Sequence, residues 1–407
     1  MKGAVLKDFK QLFDLRLNND NIEADIELVL NKVKEVGEYV VTKEGERSTN
    51  NGENDIGKWV NFPSTTGAGC EKKIAKYFEE NIVSKVQHLF KASTRMGWSG
   101  DHADTPVTND YCDRKPDLVI LRGDAPPVGP DRTWWHIMGT LEVKKDETLF
   151  EEALGQLIEC ARLIVSTQPN RRFVLDAILC GPLMWLVYFD RSGILISIPF
   201  NVHDHPRKFL RVVVGLLYLN DENRGFDPTV VFDTEKTGTI AIGGINYPFT
   251  NVRYVEGVLR GRATACYDVK KDDEKHLIKD SWVDVSRIEK EELIMKEVHD
   301  QKEDKYQDLK KHVPDVVASE VVTIHGENDS TALLRPNFIR TSVDSTDLSA
   351  KKYTYAWINP EHSRIEIREH RRIMMKPVAR RLEDFSCLAE FVQAFIDSAR
   401  CTFYLAS

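Results

Sequence analysis

Three charged residues at the ends of two neighbouring predicted strands could act on a phosphodiester. Asp117 opens the apolar run "PDLVILRG", and Glu142 and Lys144 close the run "WWHIMGTLEVKK". Residues two apart on a strand share a face, so Glu142 and Lys144 point the same way, and Asp117 on the neighbouring strand can meet them. Two carboxylates can hold one or two divalent cations that activate a water, and a lysine can stabilise the developing charge. The pattern therefore predicts a hydrolytic metal site.

Further groups could complete this site. The carbonyl of Val143 could add a metal ligand beside Asp117 and Glu142, and these hard oxygen donors suit Mg²⁺ or Mn²⁺ rather than Zn²⁺. Gln156 follows Lys144 on the next predicted helix, beside its apolar stripe. We expect its amide to turn toward the sheet and to orient the site, because a buried amide needs a partner. The alternative is a surface ion pair between Glu142 and Lys144, worth about 0–1 kcal/mol.

The surrounding elements must position these residues. Residues 4–38 have helical spacing, residues 43–68 are polar and predicted as loop, and a helix is predicted over 70–90. After the two strands come an amphipathic helix, three further strands over 172–200 and a second helix. This order predicts an α/β (α+β) fold in which helices flank a mixed sheet.

Composition limits the class of protein. The 407 residues suggest two or three domains, and seven widely spaced cysteines without a CxxC pair suggest reduced thiols. No signal peptide or membrane-length apolar run is found, so an intracellular protein, cytoplasmic or nuclear, is expected without a membrane partner. The net charge of −8 argues against wrapping of nucleic acid by bulk charge but allows a local basic groove.

Two adjacent arginines, Arg171 and Arg172, precede a predicted strand in "QPNRRF". They could contact the phosphates of a nucleic acid. They could equally flank the strand in solvent, and the sequence leaves both interpretations open.

The strand and helix motifs together carry a family resemblance. The segments "KPDLVI", "GTLEVKK" and "ALGQLIECA" resemble the PD-(D/E)XK nuclease superfamily. The resemblance implies a restriction-endonuclease-like domain over 65–220 that cleaves nucleic acid, with DNA more expected than RNA. The matching positions are Pro116, Asp117, Glu142, Lys144 and Gln156.

A wider set of motifs resembles the fungal-type protein kinase family. These include "EALGQLIECARLIVSTQPNRRFV", "VYFDRSG", "LIKDSW" and "REHRRIMMKPVARRLEDF". The resemblance implies a partial kinase-like lobe over 251–407, preceded by a connector at 221–250 and by an N-terminal helical segment and loop at 1–64. Within the lobe, Lys279 matches the lysine that pairs with ATP phosphates. Either Glu289 or Glu291 would be its ion-pair partner, and Gly261 would lie in the loop that covers the phosphates.

Phosphoryl transfer by this chain alone is not expected. The loop around Gly261 is poor in glycine, which argues against bound ATP, and neither an H-R-D nor a D-F-G motif stands in a suitable place. "HRR" at 370–372 lacks the aspartate, and "DFS" at 384–386 is interpreted as helix capping. The sequence therefore resembles a family member truncated before the catalytic loop.

Three hypotheses follow. The first is a Mg²⁺- or Mn²⁺-dependent nuclease, the second a non-catalytic interaction protein that binds a protein partner through its kinase-like lobe, and the third an ATP-binding kinase.

Overall fold

The chain divides into two compact units. Unit 1 comprises residues 1–228, 257–260 and 335–365, and unit 2 comprises residues 229–256, 261–334 and 366–407. The computed structural model describes residues 5–6, 20–42, 57–89, 96–107, 113–303, 307–335 and 366–406. Both units mix helices and strands, as the sequence predicts.

A mixed sheet forms the centre of unit 1. Within the described residues its strand order is β1-β9-β8-β7-β6-β5-β4, with β10 paired to β8. The pairs β6–β7 and β1–β9 are parallel, and the other pairs are antiparallel. A separate hairpin joins β2 to β3. The ten strands of the unit are β1 (Val5–Leu6), β2 (Tyr39–Val41), β3 (Gly57–Trp59), β4 (Gly97–Ser99), β5 (Leu118–Leu121), β6 (Ile137–Lys144), β7 (Phe173–Cys180), β8 (Leu183–Asp190), β9 (Gly193–Ile196) and β10 (Phe200–Asn201).

In the described part of unit 1, four longer helical segments lie outside this sheet. They are α1 (Asp20–Glu35), α2 (residues 70–89), α3 (Phe150–Thr167) and α4 (residues 206–218). Both α2 and α4 contain a π-helical turn, at Phe78–Val83 and Arg211–Gly215. The helix predicted for 4–38 is corrected at its start, since Val5–Leu6 pairs with β9 as a strand. The described helix spans Asp20–Glu35, and residues 7–19 lie outside the described residues.

The connection between β6 and β7 positions the candidate site. Parallel neighbours need a crossover, and α3 supplies it. Its apolar stripe, including Leu157 and Ile164, packs into a core with β7 residues such as Ile178. All eight residues of β7 are buried, as is typical of a strand covered on both faces. The face of β6 that carries Glu142 therefore lies under α3.

Unit 2 is built on an antiparallel sheet in the order β11-β12-β13-β14-β15-β19-β16. Burial alternates along β12, so one face of the sheet packs into the core and the other is more open. The strands of this sheet are β11 (Val230–Phe232), β12 (Gly238–Ile242), β13 (Ile245–Val255), β14 (Ala265–Lys271), β15 (Glu274–Asp284), β16 (Asp315–Val321) and β19 (Arg368–Lys376). A separate hairpin joins β17 (Thr323–Ile324) to β18 (Glu327–Asn328). Its helices are α5 (Glu291–Asp300), α6 (Gln307–Lys310), α7 (Thr331–Leu334) and α8 (Leu388–Ala406).

The predicted connector at 221–250 needs correction. Residues 230–232, 238–242 and 245–255 form the first three strands of the unit 2 sheet, so most of this segment belongs to that unit. The pairing of these strands with one another and with β14, which local periodicity cannot show, assigns them to that sheet. Strands β13, β14 and β15 form an antiparallel meander.

Among the described residues, no helix combines the length and the apolar character needed to cross a membrane. The loop predicted for 43–68 lies partly outside the described residues, and its last part contains β3.

Candidate functional site

The carboxyl groups of Asp117 and Glu142 meet where β5 and β6 pair. Asp117 immediately precedes β5, whose first residue, Leu118, is the register partner of Leu141. The Asp117 carboxylate accepts a hydrogen bond from the backbone N–H of Val143 over 2.7 Å. A side-chain hydrogen bond also joins Asp117 to Glu142. The structure thus brings together the two side chains that the sequence nominates as metal ligands, and Val143 donates to one of them, Asp117, through its amide. The proposed role of the Val143 carbonyl stays a prediction.

Burial makes both carboxyl groups harder to ionise. Glu142 is 2% exposed, and the loss of hydration raises its pKa well above the usual range, with the charge of Asp117 raising it further. Burial also raises the pKa of Asp117, although the Val143 N–H and the Lys144 ammonium lower it. Two such groups in contact can share a proton, which a divalent cation can replace. Two hard oxygen donors in contact fit Mg²⁺ or Mn²⁺.

Lys144 lies beside the carboxyl pair but makes its salt bridge elsewhere. Its Nζ lies 3.5 Å from Oε1 of Glu152 on α3, and the Lys144 side chain is 13% exposed. The ammonium charge also lowers the pKa of Glu142. A surface ion pair between Glu142 and Lys144 does not describe these residues, because Glu142 is buried and Glu152 holds the lysine.

A cleft of about 650 Å³ opens onto Glu142. Gln156 lines this cleft from α3, at an exposed position. The buried, sheet-facing amide expected from the sequence is corrected, since the apolar neighbours Ala153 and Leu157 occupy the sheet-facing positions of the helix. The Gln156 amide is instead available to a molecule bound in the cleft.

Cys160 on α3 is a site residue that the sequence analysis missed. Its Sγ lies 3.9 Å from Oε1 of Glu142, and it lines the same cleft. Burial raises the pKa of this thiol well above its ordinary value, with the charge of Glu142 adding to the effect. The available signal was its position four residues after Gln156, which places both on one side of a helix.

A third buried carboxyl group lies behind the pair. Glu142 is the register partner of Ile178, and Asp176 lies two residues before Ile178, so Asp176 shares the face of Glu142. One of its oxygens accepts from the Thr140 backbone N–H over 2.6 Å, and Oδ2 has no hydrogen-bond partner among the described residues. Burial raises the pKa of Asp176 to about 7. The charge of Asp176 in turn raises the pKa of Glu142.

The structure places Arg171 and Arg172 inside unit 1. Arg171 is 1% exposed, and its guanidinium donates to the Gln168 side-chain oxygen over 2.8 Å and to the Met138 carbonyl over 2.8 Å. It also donates to the Arg224 carbonyl. Arg172 is buried as well. Neither a phosphate contact nor a solvent-flanking position fits this burial. Arg171 instead links the turn before β7 to β6 through its hydrogen bond to the Met138 carbonyl.

In unit 2, Lys279 on β15 forms an ion pair with Glu291, the first residue of α5. Its Nζ lies 2.6 Å from each carboxylate oxygen. Of the two partners that the sequence left open, the structure therefore selects Glu291, while Glu289 is exposed before the helix. Both members of the pair line a cavity of about 780 Å³, together with Arg262 and Arg287.

Gly261 lies between β13 and β14 with a φ of 140°, in the region that favours glycine. The other glycine in the connection between β13 and β14 is Gly257, which belongs to unit 1. Its expected role in covering phosphates stays a prediction.

The two kinase-like tripeptides have structural roles. "HRR" lies in β19, where His370 hydrogen bonds Asp280 and Asp329, and Arg372 donates to Asp280. In "DFS", Ser386 precedes α8 and donates through its backbone N–H and its hydroxyl to Glu390. Neither tripeptide presents a catalytic aspartate.

Comparison with known families connects these features. A family model described as "Fungal protein kinase" matches residues 115–406, which is more than half of the chain. The chain belongs to the fungal protein kinase family. This family member is therefore a kinase-like protein, and the match contains both the carboxyl pair of unit 1 and Lys279 of unit 2. No curated protein and no solved structure gives a significant match to it.

Proposed function

We propose that this member of the fungal protein kinase family is a Mg²⁺- or Mn²⁺-dependent nuclease, with DNA preferred to RNA. The observation that carries the proposal is the contact between the Asp117 and Glu142 carboxyl groups at a cleft about 650 Å³ in volume. Burying two acids in contact destabilises the fold, and such costly pairs are found chiefly where a function requires them. Binding a divalent cation is such a function.

The arrangement of unit 1 supports the same chemistry. A mixed sheet flanked by helices carries the two acids on adjacent strands, as the PD-(D/E)XK resemblance implies. Asp117 and Glu142 would hold the cation, which would neutralise charge on the phosphate and acidify a bound water. Lys144, held in place by Glu152, would orient that water or stabilise the charge that develops on the phosphate. Gln156 would contact the bound strand from the helix wall.

The test is calorimetric titration of Mn²⁺ followed by a plasmid-nicking assay on the same samples. Asp117→Asn and Glu142→Gln keep side-chain volume and remove a ligand charge, so both variants should lose Mn²⁺ binding and nicking. Lys144→Met should keep Mn²⁺ binding and nick roughly 10²–10³ times more slowly, as expected for the loss of one charge-stabilising group.

Glu80→Gln is the matched control, because Glu80 is exposed and pairs with Lys76 on α2. This variant should bind and nick like the wild type. Nicking that survives in Asp117→Asn, or a wild type that neither binds Mn²⁺ nor nicks, would overturn the proposal.

A second candidate function, nucleotide binding by unit 2, is favoured by the Lys279–Glu291 ion pair. The pair lies in a cavity with two arginines, Arg262 and Arg287, that could receive phosphates. Binding of a fluorescent ATP analogue should weaken at least tenfold in Lys279→Met. The control is Lys275→Met, at an exposed position of the same strand. Equal binding by both variants would remove this candidate.

The non-catalytic alternative, in which unit 2 binds a protein partner, is compatible with the family. It becomes the leading interpretation if both tests fail.

A further inference from the structure

Two cationic side chains line the cleft, and neither is one of the buried arginines Arg171 and Arg172. Arg114 and Lys115 are exposed, and they border the same cleft as Glu142 and Gln156. Within the part of the chain that the structure describes, neither forms a salt bridge or a side-chain hydrogen bond. Their charge is therefore available to an anion that enters the cleft.

The charges of the helix wall are already compensated. Glu152 pairs with Lys144 over 3.5 Å, and Glu159 pairs with Arg162 over 3.1 Å. On the segment that carries Arg114 and Lys115, the carboxylate of Asp113 offsets part of their positive charge. The remaining positive charge of the cleft wall thus lies at Arg114 and Lys115.

The backbone holds these cations close to the carboxyl pair. The N–H and C=O of Arg114 pair with Val107 over 3.4 Å and 2.8 Å. Lys115 precedes Pro116, which restricts it to an extended conformation. An extended chain spans at most about 7 Å over the two residues from Lys115 to Asp117. The two cations are therefore close enough along the chain to reach phosphates next to one held by the carboxyl pair.

We propose that Arg114 and Lys115 bind phosphates on one side of the phosphate held at Asp117 and Glu142, so the substrate is a polynucleotide strand whose backbone runs along residues 113–115. Arg114 can grip a phosphate with two parallel hydrogen bonds, whereas Lys115 acts as a point charge. This inference rests on the proposed nuclease function and replaces Arg171 and Arg172 as the phosphate contacts.

The test measures binding of a fluorescein-labelled single-stranded DNA oligonucleotide by anisotropy, with Ca²⁺ in place of Mn²⁺ to keep the strand intact. The titrations use the full chain over a series of salt concentrations. The double variant Arg114→Ala/Lys115→Ala should bind about tenfold more weakly near physiological salt. Its slope of log K against log salt should be shallower by about 1.4, because each lost phosphate contact on a single strand removes about 0.7.

Two further variants separate local contacts from net charge. Lys73→Ala/Lys76→Ala removes the same charge from exposed positions of α2 outside the cleft lining, and its affinity and slope should match those of the wild type. Arg114→Lys keeps the charge and should keep most of the slope. Circular dichroism confirms that each variant is folded.

The outcomes distinguish this inference from the function on which it rests. If the wild type nicks DNA while Arg114→Ala/Lys115→Ala binds with unchanged affinity and slope, the inference is overturned and the nuclease function stands. The inference also fails if the Lys73→Ala/Lys76→Ala control weakens binding equally, because the effect is then one of bulk charge. If the wild type neither nicks with Mn²⁺ nor binds with Ca²⁺, both proposals fail.

Discussion

The buried carboxyl group of Asp176 makes a quantitative prediction about stability and pH. In the folded protein its pKa is raised to about 7 by burial, against a usual value of 3.8. Below pH 4 the group is protonated in both the folded and the unfolded state, so it contributes no pH dependence. Between pH 4 and 7 the unfolded chain releases this proton while the folded chain retains it. The free energy of unfolding therefore falls as pH rises, by up to 1.36 kcal/mol per pH unit from this group.

Across that interval the accumulated loss is on the order of 4 kcal/mol, and it stays constant above pH 7. Asp176→Asn cannot ionise, and its amide oxygen can still accept from the Thr140 N–H. The variant should therefore be more stable than the wild type at pH 8, by up to about 4 kcal/mol. At pH 4 the two proteins should be close in stability.

The assay is urea unfolding at pH 4.5, 6, 7 and 8. Tryptophan fluorescence is the signal that monitors it, since unit 1 holds most of the buried tryptophans. The informative quantity is the difference between wild type and variant at each pH. Asp117 also has a raised pKa, in wild type and variant. Glu142 has a raised pKa too, and because the Asp176 charge contributes to it, Asp176→Asn lowers the pKa of Glu142 and changes the stability difference in the same direction. Unfolding curves that stay parallel from pH 4.5 to 8 would refute the assignment of a neutral, buried Asp176.

Three other predictions concern single contacts. Arg171→Ala should lower the free energy of unfolding by about 3 kcal/mol or more, because the Met138 and Arg224 carbonyls lose their donor. Arg171→Lys should restore little of this stability, since lysine lacks the planar guanidinium that donates to both. Urea unfolding measures both variants. Cd²⁺ should produce an ultraviolet sulfur-to-metal charge-transfer band that is lost in Cys160→Ser, because the thiol adjoins Glu142 and soft ions prefer sulfur; a band that persists would place the ion elsewhere. Glu291→Gln should change the free energy of unfolding by only about 0–1 kcal/mol, because its pair with Lys279 is partly exposed, yet it should weaken binding of an ATP analogue in the same titration that tests Lys279→Met.

The amino-acid sequence alone determined the elements around the carboxyl pair. Continuous apolar runs predicted β5 and β6, and the 3.6-residue period predicted α3, because both signals depend only on residues close together in the chain. The strand ends were predicted well enough to place Asp117 next to Glu142 and Lys144 on one edge of a sheet. The kinase-family motifs are also short stretches of consecutive residues, so the sequence alone shows them. The family match confirms that resemblance.

Only the tertiary structure decided what each charged side chain touches. A charged residue beside a strand looks the same in sequence whether it meets solvent or the interior. The sequence therefore left Arg171 open between a phosphate contact and a position in solvent, although its guanidinium lies in the core with three internal acceptors. Gln156 passed for a buried amide, although the rotation of α3 turns it into the cleft.

The partners of the ionisable groups were equally invisible in sequence. Glu152 holds Lys144, and Asp176 lies behind Glu142 on a strand that enters the sheet more than thirty residues later along the chain. These pairings depend on the crossover through α3 and on strand register, which are long-range properties. Periodicity can predict that an element forms and which face is apolar, but the neighbour that neutralises or desolvates a charge is set by packing between elements.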